Sequence, residues 1–389
     1  MRIGIVLPSV PAYSETFFVN KIKGLQRHGF SVVIFASSAG TKEFHLSKFK
    51  LAPKLKGSKV SIVFNSLYIL CLSFVFQFKK SKRLYLLDKK DGVGFLQRLK
   101  NIISSYHIFS EPLDWLHFGF GTMVFNKENV AKAIDARMAV SFRGFDIGVY
   151  PLKHPSCYQK LWTKVNRIHV ISDDIKELVY ENGFGGESEI IKITPAIDTS
   201  FFNYEKELHL AKESRFVTVA RLHWKKGLVY TLEALSILKS LGYSFHYTII
   251  GDGAEKERLQ FAIHQLNLEG NVTLKGKMEH EDIKKALEDA DIYLQYSIQE
   301  GFCNAVLEAQ AVGLLSVVSD AEGLSENIIN NKTGWVVPKQ SPKLLAEKLL
   351  EVINLDDEEK QKISKSARER VINQFNLTKQ AKEFINFYE

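Results

Sequence analysis

An apolar strand, a turn, a helix closed by glycine and a second apolar strand occur twice in this sequence, in the same order. In the first copy MRIGIVLPS leads through VPAYSET into FFVNKIKGLQRHG, and Gly29 ends the helix before FSVVIFAS. In the second, RFVTVAR leads through LHWKKG into LVYTLEALSILKSLG, and Gly242 ends the helix before FHYTIIGDG. Strands joined through a crossover helix run parallel, so the repeat predicts an α/β chain with doubly wound sheets. Later segments keep the rhythm: VTLKG, a helix over HEDIKKALEDA, the strand DIYLQYS, a helix from Asn304 to Val312, then LLSVVSD and WVVP. With 389 residues and 45% apolar content, the chain can fill two cores. We expect two Rossmann-like domains, residues 1–198 and 199–361, facing a central cleft. A tail at 362–389, rich in Lys, Glu and Gln, has helical periodicity; in a twin-domain fold of this kind it would cross back to the first domain, with a merely solvated helix as the competing reading.

Composition narrows the setting. Cys71, Cys157 and Cys303 are odd in number and far apart, which argues against a disulfide framework or a zinc site and fits a reducing compartment. The opening MRIGIVLPSV lacks the long apolar region and small-residue cleavage site of a signal peptide, so it reads as a first buried strand. Charge is uneven: residues 1–100 carry 18 Lys and Arg against four acids, a net of +14 in a chain whose total is +8. Such asymmetry suits a polyanionic partner, either nucleic acid or an anionic membrane. Neither a zinc-finger spacing nor an RNP-type aromatic motif is present, so no nucleic-acid partner is expected. The basic cluster KFKLAPKLKGSK (48–59) precedes the apolar run LYILCLSFVFQF (67–78) and then KKSKR (79–83). That run of 12 residues is short of the roughly 20 that span a bilayer. It suits a segment lying in the membrane interface, with a buried helix carrying solvated basic ends as the competing reading. The expected location is cytoplasmic, peripheral at the inner face of the membrane.

The stretch QEGFCNAVLEAQ (299–310) follows the strand DIYLQYS, at the carboxyl end where ligands of such sheets bind. Asn304 is expected to be the N-cap of the next helix, leaving the amides of Ala305 and Val306 without helical acceptors. With the helix dipole they form an anion site, and Gly301 permits close approach of a ligand to the backbone. Glu300 and Glu308 on either side would repel a bare phosphate, so they suit a neutral, hydroxyl-rich group while the amides take the charge. A nucleotide sugar carries both kinds of surface. Arg221 and Lys226, on the first strand-to-helix loop of the second domain, are candidates to counter its diphosphate.

VARLHWKKG, IIGDGAEKERL, EGFCNAVLEAQAVG and SENIINNKTGWVVP together resemble the C-terminal half of the retaining GT-B glycosyltransferases of family 4, whose signature is a Glu-x7-Glu pair. The front, PAYSETFFVNKIKGLQRHGFSVVIF, is more loosely similar to the branch that builds exopolysaccharides and lipid-linked glycans. The resemblance implies a retaining transferase that moves a sugar from a nucleoside diphosphate to a glycan or lipid-linked acceptor in cell-surface polysaccharide synthesis, with no cofactor. By position it implies that Arg221 and Lys226 hold the donor diphosphate and that Glu300 lies near the sugar hydroxyls and reacting carbon. Gly301, Phe302, Cys303, Asn304 and Ala305 would form the cradle, and Glu308 would bind the ribose. Ser14, Glu15 and Thr16 would border the acceptor side, with His117 in HFG and Asp146 in RGFD as further acceptor-site residues.

Two departures stand out. Arg143-Gly144 replaces the His-Gly of many members, so an imidazole cannot act there and an arginine could instead meet the departing phosphate or an anionic acceptor. Gly313-Leu314-Leu315 replaces Gly-Leu-Pro, a change expected to affect loop stiffness only. Cationic side chains at the diphosphate make a divalent metal unnecessary. The Asp-x-Asp match, Asp289 to Asp291, lies where a helix gives way to a strand and reads as a structural boundary. Alternatives from other classes are a sugar-nucleotide epimerase or phosphorylase of the same fold, or a non-catalytic nucleotide-sugar-binding protein.

Overall fold

The structure is a computed structural model that describes residues 1–11, 16–40, 45–55, 57–204 and 213–389. The chain divides into two units, residues 1–193 with 380–389, and residues 194–379. The division falls a few residues before 198. Of the tail, only the last ten residues belong to the first unit, whereas 362–379 stay with the second.

The first unit holds a seven-stranded parallel sheet, β1 (Arg2–Ser9), β2 (Ser31–Ser38), β3 (Lys48–Leu51), β4 (Trp115–Phe118), β5 (Arg137–Phe142), β6 (Arg167–Val170) and β7 (Glu189–Lys192), in the order β3-β2-β1-β4-β5-β6-β7. Helix α1 (Thr16–Arg27) closes at Gly29, whose φ of 83° lets its amide donate to the Gln26 carbonyl. The apolar faces of β1, β2 and α1 meet the chain terminus in one core, where Phe384, Phe387 and Tyr388 are fully buried. The Trp115 indole donates to the Tyr388 carbonyl at 2.8 Å. Between β3 and β4 run α2 (Lys59–Phe76), α3 (Phe78–Lys90) and α4 (Phe95–Phe109).

The second unit holds β8 (Ser214–Val219), β9 (Phe245–Ile250), β10 (Val272–Gly276), β11 (Ile292–Gln295), β12 (Leu315–Ser319) and β13 (Trp335–Val337), all parallel, in the order β10-β9-β8-β11-β12-β13. The inner strands β11 and β12 are buried on both faces, as helices on each side require. The Asp-x-Asp match has a structural partner: Asp291, 1% exposed, takes the Arg215 guanidinium on both oxygens, at 3.2 and 2.9 Å. It also accepts the Arg215 amide at 2.9 Å, which fastens the start of β11 to β8.

The competing reading of a buried helix fails in the first unit: the apolar run after the basic cluster lies in a longer helix that is largely uncovered. Ser58 caps a helix that starts at Lys59, accepting from the Ser61 amide at 3.2 Å, and the helix runs 18 residues to Phe76. Gln77, at φ −130°, then breaks the chain into α3, so Phe78 belongs to a different helix.

Candidate active site

The order of the second sheet reverses between β8 and β11, which are hydrogen-bonded neighbours. Loops leaving two such strands diverge and open a crevice at their carboxyl ends. Arg221 and Lys226 lie on the loop after β8, and Glu300 on the loop after β11. The two loops are tied together by backbone: the Ile298 amide donates to the Lys225 carbonyl at 2.7 Å. Gly227 makes this approach possible. At φ 61° it packs so closely that a Cβ would sit 2.1 Å from the Tyr296 carbonyl oxygen, so no other residue fits there.

Between the tied loops the Lys226 ammonium forms an ion pair with Glu300 Oε2, both side chains being largely recessed. Burial alone would lower the Lys226 pKa, but the Glu300 carboxylate outweighs it and the pKa is raised, so the lysine is a fixed cation. Ser297 Oγ lies 3.4 Å from the same carboxylate oxygen. Arg221 is exposed beside the pair and makes no ion pair among the described residues.

The loop that carries Glu300 is held from behind by residues that pattern reading did not single out. Glu322 accepts the Glu300 amide at 2.9 Å and meets Lys339 Nζ at 3.2 Å. Asn327 clamps Cys303 at two points, accepting its amide at 3.1 Å and donating to its carbonyl at 2.9 Å. Arg370 in turn donates to the Asn327 and Glu326 carbonyls at 2.6 and 2.7 Å. Phe302 packs on Phe375, with ring centroids 5.7 Å apart. Side chains that serve loop backbone leave no spacing signature. The one available cue was that SENIINN follows the strand next to the signature helix.

The clamp moves the start of that helix. Its N-cap is Cys303 rather than Asn304, because Asn327 holds Cys303 extended at φ −121° and the chain turns helical at Asn304. The first-turn amides are therefore those of Asn304, Ala305 and Val306. Burial, and then the Glu300 carboxylate, push the Cys303 thiol up to about 12, which makes it a neutral packing group and no nucleophile. Glu308 sits in the second turn, and burial pushes its carboxyl up to about 7. Gly301 lies between the ion pair and the helix start.

The acceptor-side expectations divide. Ser14 and Glu15 lie outside the described residues, and Thr16 opens α1. His117 is not presented to a ligand. It is 0% exposed on the central strand β4, with Nε2 2.7 Å from Ser141 Oγ and Nδ1 2.6 Å from the Tyr388 hydroxyl and 3.3 Å from Lys21 Nζ. Asp146 is likewise buried, accepting from the Thr122 amide and hydroxyl at 3.3 and 3.1 Å, and serves to pin neighbouring loops. Burial raises its pKa. Arg143 lies over the rings of Phe17 and Phe18, 4.2 and 4.9 Å from their centroids.

Residues 201–370 match the family model glycosyl transferases group 1. WcaL of Escherichia coli (strain K12), named for colanic acid biosynthesis, is 29% identical over 392 residues, covering 97% of this chain and 96% of that protein. The amylovoran biosynthesis glycosyltransferase AmsK of Erwinia amylovora is 28% identical over 395 residues, with 97% and 96% covered. Among solved structures, Anabaena Alr3699/HepE in complex with UDP-glucose superposes with a TM-score of 0.72 over 100% of both chains at 14% identity. The fold is GT-B, and the family match and the relatives agree on a glycosyltransferase.

Proposed function

We propose that this chain is a retaining, metal-independent glycosyltransferase of family 4. It moves a sugar, a hexose by the resemblance, from a nucleoside diphosphate to a glycan or lipid-linked acceptor in cell-surface polysaccharide synthesis. The observation that carries the reading is the ion pair of Lys226 with Glu300, made where two loops leave the switch point of the sheet, with Arg221 exposed beside it.

The chemistry follows from these charges. As the bond from the anomeric carbon to the diphosphate oxygen breaks, positive charge grows on the sugar and negative charge on the leaving group. Arg221, Lys226 and the first-turn amides after Cys303 stabilise the leaving group, the largest contribution in reactions of this kind. Such a cationic set performs the role that a divalent ion has elsewhere. A diphosphate arriving at Lys226 competes with Glu300 for the ammonium and frees the carboxylate to accept hydrogen bonds from sugar hydroxyls. Glu308 accepts the ribose hydroxyls in its ionised form. In a front-face transfer the acceptor oxygen bonds to the anomeric carbon on the side the diphosphate leaves. The acceptor proton passes to the departing phosphate oxygen, so no side-chain base is needed and Arg143 in place of histidine is tolerated.

A panel of UDP- and GDP-sugars assayed by thermal shift tests the donor site. One base and one sugar should raise the melting temperature above the rest; if none raises it, the donor-site reading fails.

A further inference from the structure

Helix α2 is apolar nearly all round yet largely uncovered, Ser73 being its one buried residue. Val60, Val63, Phe64, Leu67, Tyr68 and Val75 recur at helical spacing and form one exposed stripe, with Val60 at 78%, Phe64 at 75% and Val75 at 70% exposure. The opposite side carries the half-buried Ile62, Ile69 and Leu72 together with Ser66 and Ser73, whose hydroxyls donate to the Ile62 and Ile69 carbonyls, both at 2.7 Å. A helix that is apolar all round is one that a soluble protein buries in its core. The apolar surface continues along Phe78 and Leu86 of α3 and Phe95 and Leu96 of α4, all more than half exposed. Lysines 79, 82, 89 and 90 of α3 are exposed beside it. A contiguous apolar area of this kind marks an interaction surface.

We propose that the outward face of α2 lies lengthwise in the interfacial layer of an anionic phospholipid bilayer, with the lysines of α3 on the headgroups. Charge selects this occupant. Two copies of the chain joined through this face would bring their own lysine rows together, whereas acidic headgroups neutralise them. Topology selects the orientation. By length and composition α2 could cross a bilayer, but a single crossing would leave β1, β2 and β3 on one side and β4 to β7 on the other. β1 pairs with β4 in one sheet, so the helix must lie in the plane. Insertion of an apolar helix face goes beyond attachment by basic charge, and it does not depend on the transfer reaction.

The test uses the full chain with vesicles of phosphatidylcholine alone and of phosphatidylcholine mixed with phosphatidylglycerol. Cys71 is exposed on α2, so an environment-sensitive label can be placed there in a Cys157→Ser background, Cys303 being buried. Flotation should show binding to the anionic vesicles, with the Cys71 label quenched by brominated lipid. Phe64→Ser with Leu67→Ser should reduce the bound fraction about tenfold at an unchanged melting temperature, since both side chains are exposed. Lys79→Glu with Lys82→Glu should remove the preference for acidic lipid. Binding with an unquenched label that the serine pair leaves intact would overturn the proposal. So would a dimer in light scattering that the serine pair dissociates while vesicles go unbound.

Discussion

Lys226 and Glu300, 74 positions apart in the chain, form an ion pair because the strands that lead to them are neighbours at the point where the sheet order reverses. The pair holds a cation ready for a diphosphate beside a carboxylate ready for hydroxyls. Glu300→Gln keeps the size and hydrogen-bonding ability of the side chain but removes its charge. Transfer should fall about 100-fold or more, while affinity for the free nucleoside diphosphate is kept or rises, since Lys226 remains and its competing carboxylate is gone. Turnover and diphosphate titration, measured on the same preparation, separate the two effects.

Asn327 is fully buried and its side chain bonds only loop backbone, the Cys303 amide and carbonyl. Asn327→Leu leaves the Cys303 amide and carbonyl without their partner and should cost about 1–3 kcal/mol of stability. It should also weaken donor binding, because the helix start is no longer fixed. Asn327→Asp retains the acceptor for the amide and should be intermediate in both. Urea denaturation and donor titration of the two variants check the order.

Glu308 gives the site a pH dependence of definite sign. Its folded pKa, about 7, lies above the ordinary value of 4.5. Between those values the folded state binds more protons than the unfolded one, so the contribution of this group is complete at low pH and is lost as pH rises through the folded pKa. Glu308→Gln removes the loss. The melting temperature of the variant relative to the wild type should therefore rise as pH goes from about 5 to about 8. Nucleotide affinity of the wild type should increase over the same range as the carboxylate ionises, and this increase should be absent in Glu308→Gln.

Asp291 tests the reading of the Asp-x-Asp match. Asp291→Asn breaks the forked contact with Arg215 and should destabilise the second unit by about 1–3 kcal/mol, the exposed guanidinium being able to turn to water. Activity per folded molecule should be unchanged, and added chelator should have no effect on either protein. A selective loss of magnesium-dependent activity would instead make Asp291 a metal ligand.

Much of the second unit was legible in the sequence because its strands are short apolar runs and, up to the signature helix, its helices end close to a glycine or a strand. Those boundaries alone place Arg221, Lys226 and Glu300 on loops at the same sheet end. What was not legible depends on three-dimensional environment. The Glu322 and Asn327 contacts go to loop backbone and follow no period. His117 and Asp146 sit in stretches that look functional, yet a central strand and a buried turn enclose them. Apolar content identified a segment near α2, but nothing in a nearly all-apolar helix tells which side faces outward. Ser58 as a cap and Gln77 as a break set its true length, and both are ordinary residues when read singly.

The most direct measurement is calorimetric titration of the nucleoside diphosphate selected by the thermal-shift panel into wild type, Arg221→Ala and Lys226→Met. Binding to the wild type should saturate at one site per chain, be weaker in each variant by about 1.5–3 kcal/mol, or roughly tenfold to a hundredfold in Kd, and fall more steeply with salt in the wild type than in either variant. Equal affinity in all three proteins would mean that the diphosphate does not sit between these loops, and the assignment of the site would be wrong.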